Sequence, residues 1–323
     1  MYLLYDQITC NATGFCIKYS MRVIITGIDG FFGRNLTKAW LRKPNCELIG
    51  IDLPPDLFNS SEDIVKWHHS INHIDLREDP SYYRELLTGV DVIIHLAART
   101  RINQSWSEYA DYYNTNITAS QSLMRCAQSM GVKKFVYFSS SSVYGNSLNP
   151  VQAETDLLSP TNPYAVSKMA AEAALTAQSL KGSTELIIVR PFTMYGEYMN
   201  FGTYSLAIAK FLTAMSKDIP LSIDGDGTQT RDFVHASDAI AALELILQHG
   251  KNGDIFNIGT GTTVSIQELA DTISSAQVRV PDRVGAVRST CADISRLSAL
   301  GYTPKVRVLD WLTEQVKEYK LNK

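Results

Sequence analysis

The stretch from residue 21 to residue 42 constrains the fold most. Met21-Arg-Val-Ile-Ile-Thr26 is a short, nearly continuous apolar run, the pattern of a strand buried on both faces. It passes directly into Gly27-Ile28-Asp29-Gly30-Phe31-Phe32-Gly33, after which residues 34–42 take up a helical period. Between a strand and a helix, three glycines have separate tasks. Gly27 permits the tight turn, Gly30 lets backbone approach a pyrophosphate, and Gly33 lets the helix pack closely on the strand. The helix start adds unpaired N–H groups and the positive end of the helix dipole, both suited to phosphate. The spacing differs from Gly-x-Gly-x-x-Gly, so the motif takes its weight from the strand before it and the helix after it.

The chain downstream repeats this alternation. Glu47-Leu-Ile-Gly-Ile-Asp52 is a second apolar strand, ending in an acid about 20 residues after the glycines, where a carboxylate binds both ribose hydroxyls and repels a 2′-phosphate. That favours NAD over NADP. Residues 71–74 predict a third strand, leaving Asp75 either to meet an adenine amino group or to cap a helix. Residues 90–98 predict a fourth strand leading into small residues, as backbone passing beneath a cofactor requires; His95 within it reads as a packing residue. A helix over 108–130, a strand over 133–139, a helix over 161–180 with Pro163 in its first turn and a strand over 185–190 follow. The expected class is α/β, a Rossmann-type doubly wound parallel sheet whose sites lie beyond the strand carboxyl ends.

After Pro191 the pattern loosens. Helices near 205–215, 237–248, 265–275 and 309–321 alternate with short strands near 231–235 and 254–258. This predicts a smaller, interleaved C-terminal substrate-binding domain over 191–323, beside a cofactor domain over 21–190 to which 231–258 contributes. Residues 1–20 match no period and read as a disordered or loosely packed extension, with Met21 a natural start.

Composition narrows the function. A net charge of −3 over 323 residues offers no basic footprint for nucleic acid. The five cysteines have neither metal-ligand spacing nor the density of a disulfide scaffold, so no metal is expected; Cys10 and Cys16 could bridge in an oxidising compartment, but free thiols in a reducing cytosol are the expectation. No apolar run reaches the roughly 18 residues of a membrane span, and the first twenty lack the pattern of a secretory signal. A cytoplasmic enzyme without a membrane partner is the expectation.

The chemistry is concentrated between Phe138 and Lys168. Phe138-Ser-Ser-Ser-Ser-Val-Tyr144-Gly145 carries a strand end into a run of hydroxyls, and Tyr164-Ala-Val-Ser-Lys168 opens the next helix. Residues at i and i+4 share a helix face, so Lys168 is expected to sit beside the Tyr164 phenol and favour its ionised form.

Together these residues resemble the extended short-chain dehydrogenase/reductase superfamily, in its nucleotide-sugar epimerase/dehydratase branch. The resemblance covers residues 21–320 and includes Arg190-Pro-Phe-Thr-Met-Tyr-Gly196, Arg231-Asp-Phe-Val-His235 and Phe256-Asn-Ile-Gly259. It implies Tyr164 as acid–base group on a sugar hydroxyl, Lys168 on the nicotinamide ribose and Ser140 as catalytic hydroxyl. NAD would be held by Gly27, Gly30, Phe32, Gly33, Asp52, Asp75 and Leu76, then by Leu96, Ala97, Ala98, Asn116, Ser139, Tyr164, Lys168 and Pro191. The sugar nucleotide would meet Arg101, Ser140, Ser141, Tyr164 and Thr193, with Arg231 and Arg283 as diphosphate clamps. Arg99 and Arg101 bring positive charge that would suit a carboxylated hexose.

Family 4,6-dehydratases carry Asp-Glu before Val-Tyr-Gly; here Ser141 and Ser142 stand there. The resemblance therefore implies 4-epimerisation of a UDP-hexose or UDP-hexuronate. Alternatives are a nucleotide-sugar 4-ketoreductase and a non-catalytic NAD-binding scaffold. Family helices matching 108–130 and 161–180 pair two protomers in a four-helix bundle, which implies a homodimer.

Overall fold

A computed structural model describes residues 7–10, 16–19, 21–41, 43, 46–54, 71–199, 207–282 and 287–321. Strands β1 (Gln7–Cys10) and β2 (Cys16–Tyr19), in the stretch expected to be loose, pair antiparallel with Gln7 opposite Tyr19 and Cys10 opposite Cys16. Neither joins the main sheet.

The cofactor half runs β3 (Met21–Thr26), α1 (Phe31–Trp40), β4 (Cys46–Asp52), β5 (Ile71–His73), α2 (Ser81–Arg84), β6 (Val92–His95), α3 (Ile102–Ser105), α4 (Tyr109–Tyr113), α5 (Ser120–Ser129), β7 (Lys134–Phe138), α6 (Pro163–Ser179) and β8 (Glu185–Pro191). The remainder runs β9 (Thr193–Tyr195), α7 (Ala207–Ser216), β10 (Leu221–Asp224), β11 (Thr230–Arg231), β12 (Phe233–His235), α8 (Ala236–His249), β13 (Ile255–Ile258), β14 (Val264–Ser265), α9 (Ile266–Ile273), β15 (Gln277–Val280), β16 (Ser289–Thr290), α10 (Ser295–Ser298) and α11 (Val308–Leu321).

Seven strands form one sheet in the order β13-β8-β7-β6-β3-β4-β5, every pair parallel. The order reverses between β3 and β6, and the expected doubly wound topology is observed. Alternate residues of each strand feed opposite cores, as the pleat requires. Val23 and Ile25 pack with Leu36 and Trp40 of α1 and Leu243 and Ile246 of α8. Ile24 turns the other way, toward Leu123 and Ala127 of α5 and Ala171 and Leu175 of α6. A third core, with Phe211, Leu221, Leu269 and Leu312, holds the C-terminal elements together.

Two expected elements are interrupted. The helix predicted over 108–130 is α4 and α5 joined by a π-turn over Asn114–Ala119. A π-turn continues the helical course of the chain and has no residue signature of its own, so a reading of helical periodicity runs through it. The strand predicted over 231–235 is split into β11 and β12 at Asp232. That fully buried carboxylate accepts hydrogen bonds from the Thr260, Gly261 and Ala292 amides at 2.8, 2.9 and 3.1 Å.

Candidate active site

The glycine turn after β3 is built as the spacing predicts. Gly27 lies at φ +71°, and a Cβ there would sit 2.7 Å from the Ala97 amide nitrogen. β6 ends against this turn, so the backbone of Leu96 and Ala97 passes directly across it, with Ala98 next in the chain. A Cβ on Gly33 would lie 2.5 Å from the Ile28 carbonyl oxygen and would also meet the Gly27 carbonyl. Gly30 is the N-cap of α1, with no side-chain cap and no acid in the first turn, so the helix start offers free N–H groups to an anion. Phe32 turns its ring into the core against Phe138, at 5.2 Å between centroids; toward the turn it presents backbone only. Gly33→Ala should cost about 1–3 kcal/mol through overpacking and weaken NAD binding, read by denaturant unfolding and cofactor titration.

Asp52 ends β4 with its carboxylate turned to this turn, accepting from the Asp29 amide at 2.7 Å and the Leu53 amide at 2.8 Å. Burial pushes its pKa up and those two bonds oppose the rise. Asp75 is gripped by Arg77, whose Nε donates to it at 3.0 Å, which holds it below the usual carboxylate range. Leu76 is buried in the core. Asp29 Oδ1, Arg34 Nε and Ser139 Oγ are buried without a hydrogen-bond partner among the described residues. They belong to the turn, to the first turns of α1 and to the end of β7. Unsatisfied polar atoms along the strand carboxyl ends, beside a cradle a single Cβ would fill, fit an extended polar ligand laid over the switch point, as a dinucleotide is.

The hydroxyl run and the Tyr164 helix converge beyond β7. Ser140 caps a 3₁₀ turn over Ser141–Tyr144, its Oγ accepting from the Ser142 amide at 3.1 Å. Asn162 caps α6 by accepting from the Ala165 amide at 2.9 Å, and Pro163 takes the first helical turn. The helix delivers Tyr164 and Lys168, 8% and 2% exposed, to the same side as Ser140. Burial raises the Tyr164 phenol above its ordinary pKa, while a hydrogen bond with Ser140 opposes that rise. Burial pushes Lys168 down to about 7, against the pull of Glu172. Tyr164 is therefore paired with Ser140, whereas the Lys168 ammonium sits 4.5 Å above the Tyr137 ring.

Asn116 lies in the π-turn, where its side chain accepts from the Arg99 amide at 2.9 Å and donates to Ser167 Oγ at 2.8 Å. Pro191 closes β8, and Thr193 opens β9, half-buried beside it. Arg231 donates to the Thr230 carbonyl at 2.7 Å and the Arg288 carbonyl at 3.3 Å. Arg101 precedes α3, its carbonyl accepting from the Tyr112 hydroxyl at 2.6 Å. Arg99 is paired with Glu108 and Asp111, each at 2.8 Å, so its charge is committed within the fold. Arg283 lies outside the described residues. Among the described residues no three metal-ligating side chains cluster, and no helix is long and apolar enough to cross a membrane.

His95 is fully buried, and burial together with the Lys168 charge pushes it down to about 3. Below about pH 6.5 the unfolded chain takes up a proton here that the folded chain refuses, so stability falls as pH drops from about 6.5 toward 3. The contribution is about 1.4 kcal/mol per pH unit. Denaturant unfolding across that range should show the acid slope reduced in a His95→Gln variant.

Sequence reasoning did not find the buried network that links this site to the C-terminal elements. Arg190 donates to both oxygens of Glu172, at 3.0 and 2.7 Å, and to the Tyr144 hydroxyl at 3.0 Å. Tyr144 donates to Asn257 at 2.6 Å, and the Asn257 amide donates to Glu154 at 2.8 Å. Glu172 follows Lys168 by one helical turn, which was the available signal.

A family model described as NAD dependent epimerase/dehydratase matches residues 23–259. The chain is 28% identical to dTDP-D-glucose 4,6-dehydratase of Bos taurus, with 94% of this chain and 90% of that one covered. It is 30% identical to YtcB of Bacillus subtilis (strain 168), an uncharacterized UDP-glucose epimerase, over 92% of this chain and 97% of that one. Among solved structures, it is similar to the UDP-glucuronic acid 4-epimerase of Bacillus cereus in complex with UDP-glucuronic acid and NAD. The TM-score is 0.84, with 29% identity over 94% of this chain and 100% of that one.

Proposed function

Since the chain belongs to the NAD-dependent epimerase/dehydratase family and takes NAD as its cofactor, we propose that it inverts C4 of a nucleotide-diphosphate sugar, a UDP-hexose or UDP-hexuronate, through a transient 4-keto sugar. Epimerase or dehydratase chemistry on a nucleotide sugar is common to its relatives. The observation that carries the finer reading is that the chain leaving β7 enters the 3₁₀ turn with serines at 140, 141 and 142, hydroxyls where an acid and a base would be needed. Removing water across C5 and C6 needs an added acid and base, and serines at ordinary pH are neither.

Gly27, Gly30 and Gly33 would hold the pyrophosphate, Asp52 the adenosine ribose, and Lys168 the nicotinamide ribose. When bound, NAD supplies a hydride acceptor that can return the hydride. Tyr164, its phenolate favoured by the Lys168 ammonium and by the positive charge of bound NAD, would take the proton of the sugar 4-hydroxyl as hydride leaves C4, and Ser140 would share the hydrogen bond to that oxygen. After the keto sugar presents its other face, Tyr164 returns the proton and the configuration is inverted. Thr193, Arg231 and Arg283 hold the diphosphate, while Arg101 and Ser141 lie toward the sugar. No net oxidant is consumed.

The same reading makes the protein a cytoplasmic homodimer, with the 109–129 helices and α6 forming a four-helix bundle. Incubation with UDP-, dTDP- and GDP-sugars, read by NMR, should give a C4 epimer. A 4-keto-6-deoxy product would overturn the reading, and stoichiometric NAD(P)H consumption on a 4-keto sugar would indicate a ketoreductase.

A further inference from the structure

A directed chain of hydrogen bonds runs beneath the site and passes through His95. The Ala97 amide donates to Thr26 Oγ1 at 3.2 Å, and Thr26 Oγ1 lies 2.6 Å from His95 Nδ1. On the other side of the ring, His95 Nε2 lies 2.8 Å from Ser120 Oγ, and Ser120 donates to the Asn116 carbonyl at 2.8 Å. Counting protons sets the direction. A serine hydroxyl has one proton, and the Asn116 carbonyl takes it, so Ser120 can only accept from His95. Nε2 therefore carries the imidazole proton, Nδ1 is an acceptor, and Thr26 donates to it. The ring is enclosed by Phe135 and Tyr137, with centroids at 5.6 and 5.8 Å. The Lys168 ammonium above Tyr137 opposes a second positive charge there.

Both ends of this chain reach working parts. The Ala97 amide is the group that a Cβ on Gly27 would strike, so Thr26 fixes the strand end that faces the glycine turn. Asn116 lies in the π-turn and donates to Ser167, which in turn donates to the Tyr164 carbonyl at 2.7 Å. Ser120 gives the Asn116 carbonyl within that π-turn a side-chain donor, and the Asn116 side chain ties the turn to Arg99 and Ser167.

We propose that His95 is a positioning residue, held as the Nε2–H tautomer, that ties the cofactor turn at Gly27 and Ala97 to the Asn116 π-turn and through it to Tyr164. The proposal rests on the NAD site and on Tyr164 as the acid–base group, and is independent of which sugar is turned over.

Two substitutions separate the ends. His95→Asn can place an acceptor near the Nδ1 position and keep Thr26, but loses Ser120. His95→Gln can place a donor near the Nε2 position and keep Ser120, but loses Thr26. His95→Gln should weaken NADH binding about tenfold, measured by cofactor fluorescence, with kcat at saturating NAD within about twofold. His95→Asn should lower kcat about tenfold with NADH affinity within about twofold. Thr26→Val and Ser120→Ala, nearly isosteric, should reproduce the two patterns respectively, which keeps the test open should a histidine variant fail to fold. In the unmodified protein, ¹⁵N NMR should show His95 as a non-titrating Nε2–H ring from about pH 5 to about pH 9. An Nδ1–H tautomer, titration within that range, or variants that change affinity and kcat alike would overturn the proposal. If no sugar in the panel reacts, the epimerase reading fails, while the tautomer and NADH-binding results still decide the role of His95.

Discussion

Tyr164→Phe lowers kcat by about 10²–10⁴-fold, the span expected for removing a positioned general acid–base group, and leaves NADH affinity nearly unchanged. The loss is chemical rather than structural. Only the hydroxyl is removed; the ring packs edge-on to Tyr112 at 6.5 Å, and phenylalanine preserves that contact. Ser140 loses one hydrogen-bond partner but keeps the Ser142 amide. Because burial raises the phenol pKa and Ser140 opposes it, Ser140→Ala should move the pH–rate profile of turnover to higher pH. Cofactor titration of both variants checks that the fold and the NAD site survive.

Arg190→Leu destabilises the protein by about 3–5 kcal/mol, because it strands a buried carboxylate. Glu172 and Arg190 are 6% and 4% exposed at the side chain and joined by two charge-assisted bonds. Burial works against the Arg190 charge, and Glu172 more than offsets it, so its pKa is raised. Removing the guanidinium also deprives the Tyr144 hydroxyl and the Glu154 carbonyl of a donor. Replacing both partners, Glu172→Leu with Arg190→Met, should recover much of the lost stability, since neither charge is then left alone. Denaturant midpoints at equal m-value report both quantities. Glu172 also supports the Lys168 charge one turn away, so the stable double variant should bind NAD less tightly.

The parts legible in the sequence are those fixed by local rules. Gly33 is required because Ile28 and Gly27 carbonyls lie where its Cβ would be, and the strand-to-helix switch around it announces this. Helical spacing puts Tyr164 and Lys168 on one face, and the hydroxyl run and glycine turn around them give that spacing its meaning. What stayed hidden depends on contacts between distant residues. The π-turn at Asn116 continues the helical course with no breaker residue to mark it, so a single helix over 108–130 is the natural expectation. The break at Asp232 comes from amides at residues 260, 261 and 292. His95 is read as packing from its strand position, because only the tertiary fold brings Thr26 and Ser120 to its two nitrogens.

The central claim is that C4 is inverted by hydride departure and return, without elimination at C5 and C6. Turnover of a UDP-hexose deuterated at C4, followed by NMR, tests it most directly. The account predicts a C4 epimer retaining deuterium at C4, an intact C6 substituent and no net NADH. Deuterium appearing at C6 of a 4-keto-6-deoxy sugar would contradict it.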